Sequence, residues 1–527
     1  MAVVASLQDF RQTGPPADIG TYEFGSDILV STHTFAGATY VFALRAGERG
    51  WVLVDLLPLT GANATTVILA AINALTAGRT WEETVTVKGR YVGLGQIVLP
   101  SYIILEIDGY WEAQDALDTH FITNSDPAGG NTDITIRYGW VNANKENQTG
   151  DMSCIHMEKV TRPHVFFMKV RGGARPVGAA HGEGICFWEC TLGKIIGNYS
   201  YEAYYDNIKV RGSSTYCLIA NNTCKDSETK GGIQVSSETT CHNDVIGNII
   251  YQYIHALDNG IRVHSAHDNL IADNKIYAYA STGVQLLDYA YNNTVQGNHI
   301  FTNGGGIYVY SGTPASFRPN HNYFVDNTII LATNVATSRG VHIADGDYNV
   351  IWKNTIRGAG GGTGVEIGAT YCSYNRLGPN YYYNLTTNVT IPADIDVEFI
   401  DCQSFCGSSY GEVPGGGAQT FGVLVGKASS NNNEPQMRQI IAKAGIFRNA
   451  YVQTNVNIGA GETFHLIYRK NAADQAIDVT MTGAVQTGND RNHSFTCAAG
   501  DLIAVRITET GAVPALHVQW AVQFLPF

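Results

Sequence analysis

Residues 268–276 read DNLIADNKI, and the same shape returns at 292–300 as NNTVQGNHI, at 321–329 as HNYFVDNTI and at 348–356 as YNVIWKNTI. Looser copies stand at 243–250 (NDVIGNII) and 374–382 (YNRLGPNYY). The second asparagine of each copy, with one more upstream, falls at 222, 248, 274, 298, 327, 354 and 380, so the intervals are 26, 26, 24, 29, 27 and 26 residues. A near-constant interval of this size marks one structural unit laid down repeatedly. Between these copies runs a second element: GIQV (232–235), GIRV (260–263), GVQL (283–286), GIYV (306–309), GVHI (340–343) and GVEI (364–367). Apolar residues alternate with others over four or five positions, which is the period of a strand and too short for a helix. Each unit is therefore a coil of short strands, and stacked coils form parallel sheets.

The bulk composition agrees. Only 15% of the 527 residues are charged, while 57 are Gly, 29 Tyr and 19 Phe, which favours strands joined by tight turns. A formal charge of −13 speaks against a nucleic-acid binder and offers no attraction to anionic membranes. No run reaches the roughly 20 apolar residues of a membrane span, and the start, MAVVASLQDFRQTGPP, lacks the basic and apolar regions of a classical export signal. The ten cysteines fit no zinc spacing. Most lie in apolar strand contexts and read as small buried hydrophobes, with a Cys402–Cys406 disulfide as the alternative for that pair.

This repeat resembles the right-handed parallel β-helix family, the pectate-lyase-like fold shared by polysaccharide lyases, galacturonases and bacteriophage tailspikes. The resemblance covers about residues 80–400. It implies an all-β fold: a right-handed parallel β-helix with an N-terminal capping helix, followed by a C-terminal antiparallel β-sandwich. NATTVILAAINALTAG (63–78) supplies the capping helix, with Asn63 as N-cap, Ile68, Ala71, Ile72 and Leu75 on one face, and Gly78 as the stop. VTVKGRYVGLGQIVLPSYIILEIDG (85–109) supplies the first coil. After the Gly- and Ser-rich stretch 405–419 the period changes, and 420–527 reads as a sandwich similar to the jelly rolls that end phage fibres. The expected division is thus an attachment or stem region (1–60), a β-helix (61–404), a linker (405–419) and a trimerisation or receptor-binding sandwich (420–527).

Asparagine tolerates left-handed turns and can bond rung to rung, so the Asn column is read as structural. Two residues after each Asn an apolar side chain points inward, which sends the next one out: Tyr251, Tyr277, Phe301, Ile330, Arg357 and Tyr383. Such a row either packs against another subunit or stacks on sugar rings; Tyr251 and Tyr277 are the sugar candidates. A second outward column runs His156, Cys186, Lys209, Gln234, Arg262, Gln285, Tyr308, His342 and Glu366. Rungs are about 4.8 Å apart, so only near neighbours cooperate.

Two neighbourhoods on that column can carry chemistry. In the first, Tyr308, His342 and Glu366 stand near Asp345 and Asp347. Glu366 with Asp345 would be the carboxyl pair of a glycosidase, or Tyr308 or His342 the base of a lyase. In the second, Arg262, His264 and Lys209 lie beside Asp258 and Asp288, and their cations suit a sugar carboxylate. Arg with Lys recurs in β-helix lyases, but the aspartate-rich calcium motifs of pectate lyases and the paired aspartates of galacturonases do not appear. No cofactor is expected; calcium is the one ion the resemblance leaves open. HGEG (181–184) is a further His and Glu cluster. The expected function is a homotrimeric tailspike-like or fibre-like protein of a virion or extracellular surface that binds, and depolymerises or only holds, cell-surface polysaccharide. A free polysaccharide lyase or hydrolase and a non-catalytic fibre are the alternatives.

Overall fold

The computed structural model describes residues 27–35, 38–47, 50–174, 182–252, 259–278, 282–312, 317–333, 337–368, 370–391, 397–399, 403–410, 420–422, 426–429, 439–441, 444–454, 460–483, 485–510 and 518–526. The chain divides into two compact units, 1–308 and 309–527.

In the first unit three rows of short parallel strands climb together. One row is Ile97–Leu99, Ile122–Asn124, Ile155–Glu158, Ile185–Trp188, Asp206–Arg211, Gly231–Ser236, Asn259–His264 and Val284–Leu287, each paired in parallel with the next. The others pass through Lys194–Ile196, Leu218–Ala220 and Asp244–Ile246, and through Tyr199–Tyr201, Thr223–Lys225 and Ile249–Gln252. Inward side chains are stacked aliphatics such as Ile208, Ile233, Ile261, Ile250 and Ile276, all at 0% exposure. The glycines of GIQV, GIRV and GVQL are not turn residues but lie within or beside strands. A Cβ on Gly260 would sit 2.2 Å from Ile276 Cγ2, and on Gly283 2.2 Å from Ile300 Cγ2, so glycine leaves room for the isoleucine across the coil.

The asparagine column is a buried hydrogen-bonded ladder. Asn222 donates from both N and Nδ2 to Asn248 Oδ1, Asn248 does the same to Asn274, and Asn274 to Asn298. The left-handed residue is not the ladder Asn but the one before it, as at Asn221 (φ 55°), Gly247 (φ 66°) and Asp273 (φ 55°). A second ladder, Asn243 to Asn269 to Asn293, runs five residues upstream.

The capping helix spans Gly61–Asn73. Its N-cap is Thr60, not Asn63: the Thr60 hydroxyl accepts from Asn63 N, while Asn63 Nδ2 donates to Pro58 O. It ends at Asn73, before Gly78, and buries Ala64, Val67, Ile68, Ala71 and Ile72. The strands Ile28–Phe35, Ala38–Gly47 and Gly50–Pro58 form an antiparallel meander, and the first of them pairs in parallel with Glu83–Leu94. Residues 1–26, including the stretch read for an export signal, lie outside the described residues.

The second unit opens with further coils of the same kind, in which Asn322, Asn349 and Asn375, and Asn327, Asn354 and Asn380, continue both ladder patterns. It then changes to antiparallel strands. Gln403–Tyr410, Val518–Pro526, Gly445–Thr454 and Thr487–Cys497 pair in that order, and Leu502–Thr510, Thr463–Lys470 and Ala473–Thr482 pair in a second sheet. Phe447, Phe464, Leu466, Tyr468 and Trp520 share one buried core, as two sheets packed face to face require. The strand Gln403–Tyr410 runs into the Gly- and Ser-rich stretch.

Of the eight cysteines whose side chains are described, all are free, and seven are buried. Cys402 and the side chain of Cys406, the pair read as a disulfide, lie outside the described residues.

Candidate functional site

Strand alternation builds a polar face on the first row of sheets. Ile185, Ile208, Ile233, Ile261 and Val284 fill the core, so their successors Cys186, Lys209, Gln234, Arg262 and Gln285 point out, in register across four pairings. The outward column is as read, but its upper part is covered. His156, Cys186, Lys209 and Gln234 are buried, and exposure begins at Arg262 and Gln285. Lys209 therefore does not offer its ammonium to a ligand in solution.

Lys209 instead bridges two carboxylates. Its Nζ stands 3.0 Å from Glu183 Oε1 and 3.8 Å from Asp206 Oδ2, and 4.3 Å from the centre of the Tyr205 ring. Glu183 also accepts from Ser153 Oγ at 2.7 Å and from Gly182 N at 3.1 Å. Asp206 is different: it is fully buried, and neither oxygen has a hydrogen-bond partner. Burial carries its carboxyl up to about 7; Lys209 pulls it down and Glu183 pushes it up. Gln234 Oε1 and Arg262 Nε, on the neighbouring rungs, are likewise buried atoms without partners. Such atoms cost about 1–3 kcal/mol each unless water or a ligand meets them.

At the rim, His264 Nε2 lies 3.0 Å from Asp288 Oδ2, and Asn259 Nδ2 donates to Gln285 Oε1 at 3.1 Å. Burial, then the neighbouring Arg262, lowers the His264 pKa against the pull of Asp288. Arg262, Lys209 and Asp288 thus all lie close enough to His264 to act on its charge, with Lys209 on the covered side. Asp258 lies outside the described residues. Glu183 was legible only as part of HGEG, and Asp206 was missed. The available signal for Asp206 was a carboxylate three residues before Lys209 at the mouth of a strand.

The first neighbourhood is arranged as an ion-pair network. His342 and Glu366 are register partners, with His342 Nε2 3.5 Å from Glu366 Oε1 and Arg339 Nε 2.6 Å from Glu366 Oε2. Burial pushes His342 down to about 4, so it is neutral at pH 7. Asp345 accepts from Ser311 N at 3.4 Å. Asp347 is held by Arg318 at 2.8 Å and by Ser373 N at 2.8 Å. Tyr308 is half-buried and ends the first unit. A carboxylate already gripped by arginine is a poor proton donor. Glu366→Gln is accordingly expected to lower the melting temperature by a few degrees while leaving any glycan cleavage at the wild-type rate; a rate loss beyond tenfold at unchanged stability would return Glu366 to the chemistry.

Tyr251 and Tyr277 stack at 5.1 Å with planes 11° apart, and Tyr277 meets Phe301 at 6.4 Å. Both tyrosines are half-buried, in line with Lys225 on the rung below. Among the described residues no group of three or more His, Cys, Asp or Glu side chains gathers as a metal site, and no helix is long and apolar enough to cross a membrane.

Residues 183–356 match the family model described as a right handed beta helix region. No curated protein matches the sequence. Among solved structures, a double mutant of the tailspike of E. coli bacteriophage HK620, in complex with pentasaccharide, aligns over 90% of this chain and 92% of its own with TM-score 0.52 and 13% identity. The A-module of a mannuronan C-5 epimerase from Azotobacter vinelandii aligns over 64% of this chain and 96% of its own with TM-score 0.52 and 17% identity. Strand rows, family model and these likenesses agree on one architecture: the chain is built around a right-handed parallel β-helix similar to those of the tailspike and the epimerase module.

Proposed function

We propose that this chain is a tailspike-like or fibre-like homotrimer that binds cell-surface polysaccharide on the polar face around Arg262, His264, Asn259 and Gln285. The observation that carries the reading is the group of buried polar atoms without partners, both Asp206 oxygens, Gln234 Oε1 and Arg262 Nε, in and beside that row. Sugar hydroxyls supply donors and acceptors at the spacing such a group lacks, and Arg262 adds a fork suited to an acidic sugar. The likeness to a tailspike crystallised with a pentasaccharide supports the class of ligand. Tyr251 and Tyr277 serve as a stacking surface, for sugar or for a neighbouring subunit. A virion or extracellular surface suits this role.

The test is binding of purified chain to acidic and neutral bacterial polysaccharides. Arg262→Ala is expected to weaken binding at least tenfold, with an unchanged melting curve. Light scattering is expected to return about three times the 57.0 kDa of one chain. A monomer sinks the trimeric reading, and unchanged affinity in Arg262→Ala sinks the site.

Asp206 favours a second reading, in which the same face cleaves what it binds. Burial raises the Asp206 carboxyl to about 7, and Glu183, 3.0 Å from Lys209, is the second carboxyl group; acid–base cleavage of a glycosidic bond uses two carboxyl groups in unlike surroundings. Asp206 would give the proton and Glu183 would hold the partner charge. Asp206 has no accessible surface, so the bound glycan must first shift the covering side chains.

A further inference from the structure

The second unit contains an opening of about 570 Å³ between its β-helix coils and its antiparallel strands. One wall carries Tyr348, Tyr374 and Arg376, and the facing wall carries Asn449, Tyr451 and Arg491. The tyrosines of the first wall belong to a ring stack. His321 and Tyr348 are 4.8 Å apart with planes 10° apart, and Tyr348 and Tyr374 are 5.0 Å apart with planes 14° apart. Left-handed backbone at Tyr348 (φ 56°) and Tyr374 (φ 57°) turns both rings outward at the same corner of successive coils.

Among the described residues Tyr374 ends the stack. One face lies on Tyr348, the other meets no further ring among the described residues, and the side chain is 52% exposed. Across the opening, Tyr451 is 41% exposed. Arg491 is exposed and has no ion-pair or hydrogen-bond partner among the described residues. Its neighbour Asp490 is turned away, accepting from Asp478 N, Asn492 N and His493 N. Asn449 Nδ2 donates to Gln523 Oε1 at 2.8 Å, which fixes both amides at the rim. Among the described side chains that line the opening none is a carboxylate, although the chain as a whole carries −13. Among the described residues, an aromatic face with no further ring on it and an exposed guanidinium with no ion-pair partner line the same opening, one suited to a ring and one to an anion.

We infer that this opening is a second saccharide site, selective for a sugar acid whose ring lies on the free face of Tyr374 and whose carboxylate is met by Arg491. Arg376 lines the near wall, and the Asn449–Gln523 amides meet hydroxyls. A neutral sugar leaves the guanidinium unused, and a bare anion leaves the tyrosines unused. The volume admits a short oligosaccharide end, within the usual range of small-ligand sites. The site lies in the other unit from the Arg262 face and stands independently of the function proposed for it.

The test uses the full chain with digalacturonate and its neutral counterpart galactobiose, followed by calorimetry and saturation-transfer NMR. Digalacturonate is expected to bind at least tenfold more tightly than galactobiose. The titrations are made in an Arg262→Ala background, which removes acidic-sugar binding at the first face; there Arg491→Ala should remove the preference, Tyr374→Ala should weaken both sugars and Tyr374→Phe should retain binding. Melting curves of Arg491→Ala should match wild type, since the side chain is exposed. Equal affinity for the two sugars, or a preference that survives Arg491→Ala, overturns the inference. So does displacement of digalacturonate by equimolar inorganic phosphate, which would mean an anion site with no use for the rings.

Discussion

Asp206→Asn is expected to raise the stability of the protein at pH 8 by about 1–3 kcal/mol and to leave it nearly unchanged at pH 4. The Asp206 carboxyl moves from 3.8 to about 7 on folding because burial penalises its charge more than Lys209 rewards it. A carboxyl with a raised folded pKa contributes stability that is complete below its unfolded value and is lost as pH rises through its folded value. The wild-type protein should therefore soften between pH 4 and 7, and asparagine, which resembles the protonated form, should remove that slope. Lys209 keeps its 3.0 Å contact with Glu183, so the substitution does not strand the ammonium. Thermal melts of both proteins across pH 4–8 check this; a variant that melts lower at pH 8 would show that ionised Asp206 supports the fold. A residue that weakens the fold at neutral pH needs another reason to stand there, and loss of glycan cleavage in the same variant would supply it.

Asn248→Ala is expected to cost about 3–5 kcal/mol, the largest loss from any single truncation outside the aliphatic core. Asn248 is fully buried. It accepts from Asn222 N and Nδ2, donates from N and Nδ2 to Asn274 Oδ1, and donates again to Ile219 O at 2.9 Å. Alanine keeps the backbone donor but removes the acceptor of Asn222 N, one of the two acceptors of Asn222 Nδ2, which keeps Ile195 O, and the side-chain donor to Ile219 O, where water does not reach. Asp244→Ala, exposed on the same coil, should stay within about 0.5 kcal/mol. The readout is the unfolding rate in denaturant alongside the melting temperature, since large β-proteins often unfold irreversibly. Equal rates for the two variants would deny the ladder its structural role.

The coils were legible because two simple periods overlap: alternation along each strand, and one asparagine per turn. Ile250, Ile276 and Ile300 lie inside as that pattern required. The capping helix was legible from its apolar face, but its start was misplaced by three residues, because Asn63 and Thr60 are both good caps and only the path of the chain from Pro58 selects between them. The meander 28–58 has no repeat to betray it.

The polar face was half legible. Arg262 and His264 share a strand and point out by alternation. Asp206, Glu183 and Lys209 meet because coils stack, bringing residues 26 positions apart within 3.0 Å. That Lys209 is covered rather than exposed depends on what lies over the sheet, and no spacing encodes it.

The two asparagine ladders also have a bearing on how such a protein changes over generations. From Asn243 to Asn248, Asn269 to Asn274, Asn293 to Asn298, Asn322 to Asn327, Asn349 to Asn354 and Asn375 to Asn380 the step is always five residues. The remaining arc of each coil, which carries the strand of the polar face, runs instead to 21, 19, 24, 22 and 21 residues between Asn248 and Asn375. Within each coil the step between the two asparagines is thus of fixed gauge, and the remaining arc absorbs every insertion. New loops, and with them new ligand preferences, can be grafted beside Arg262 without disturbing the register by which each coil finds the next.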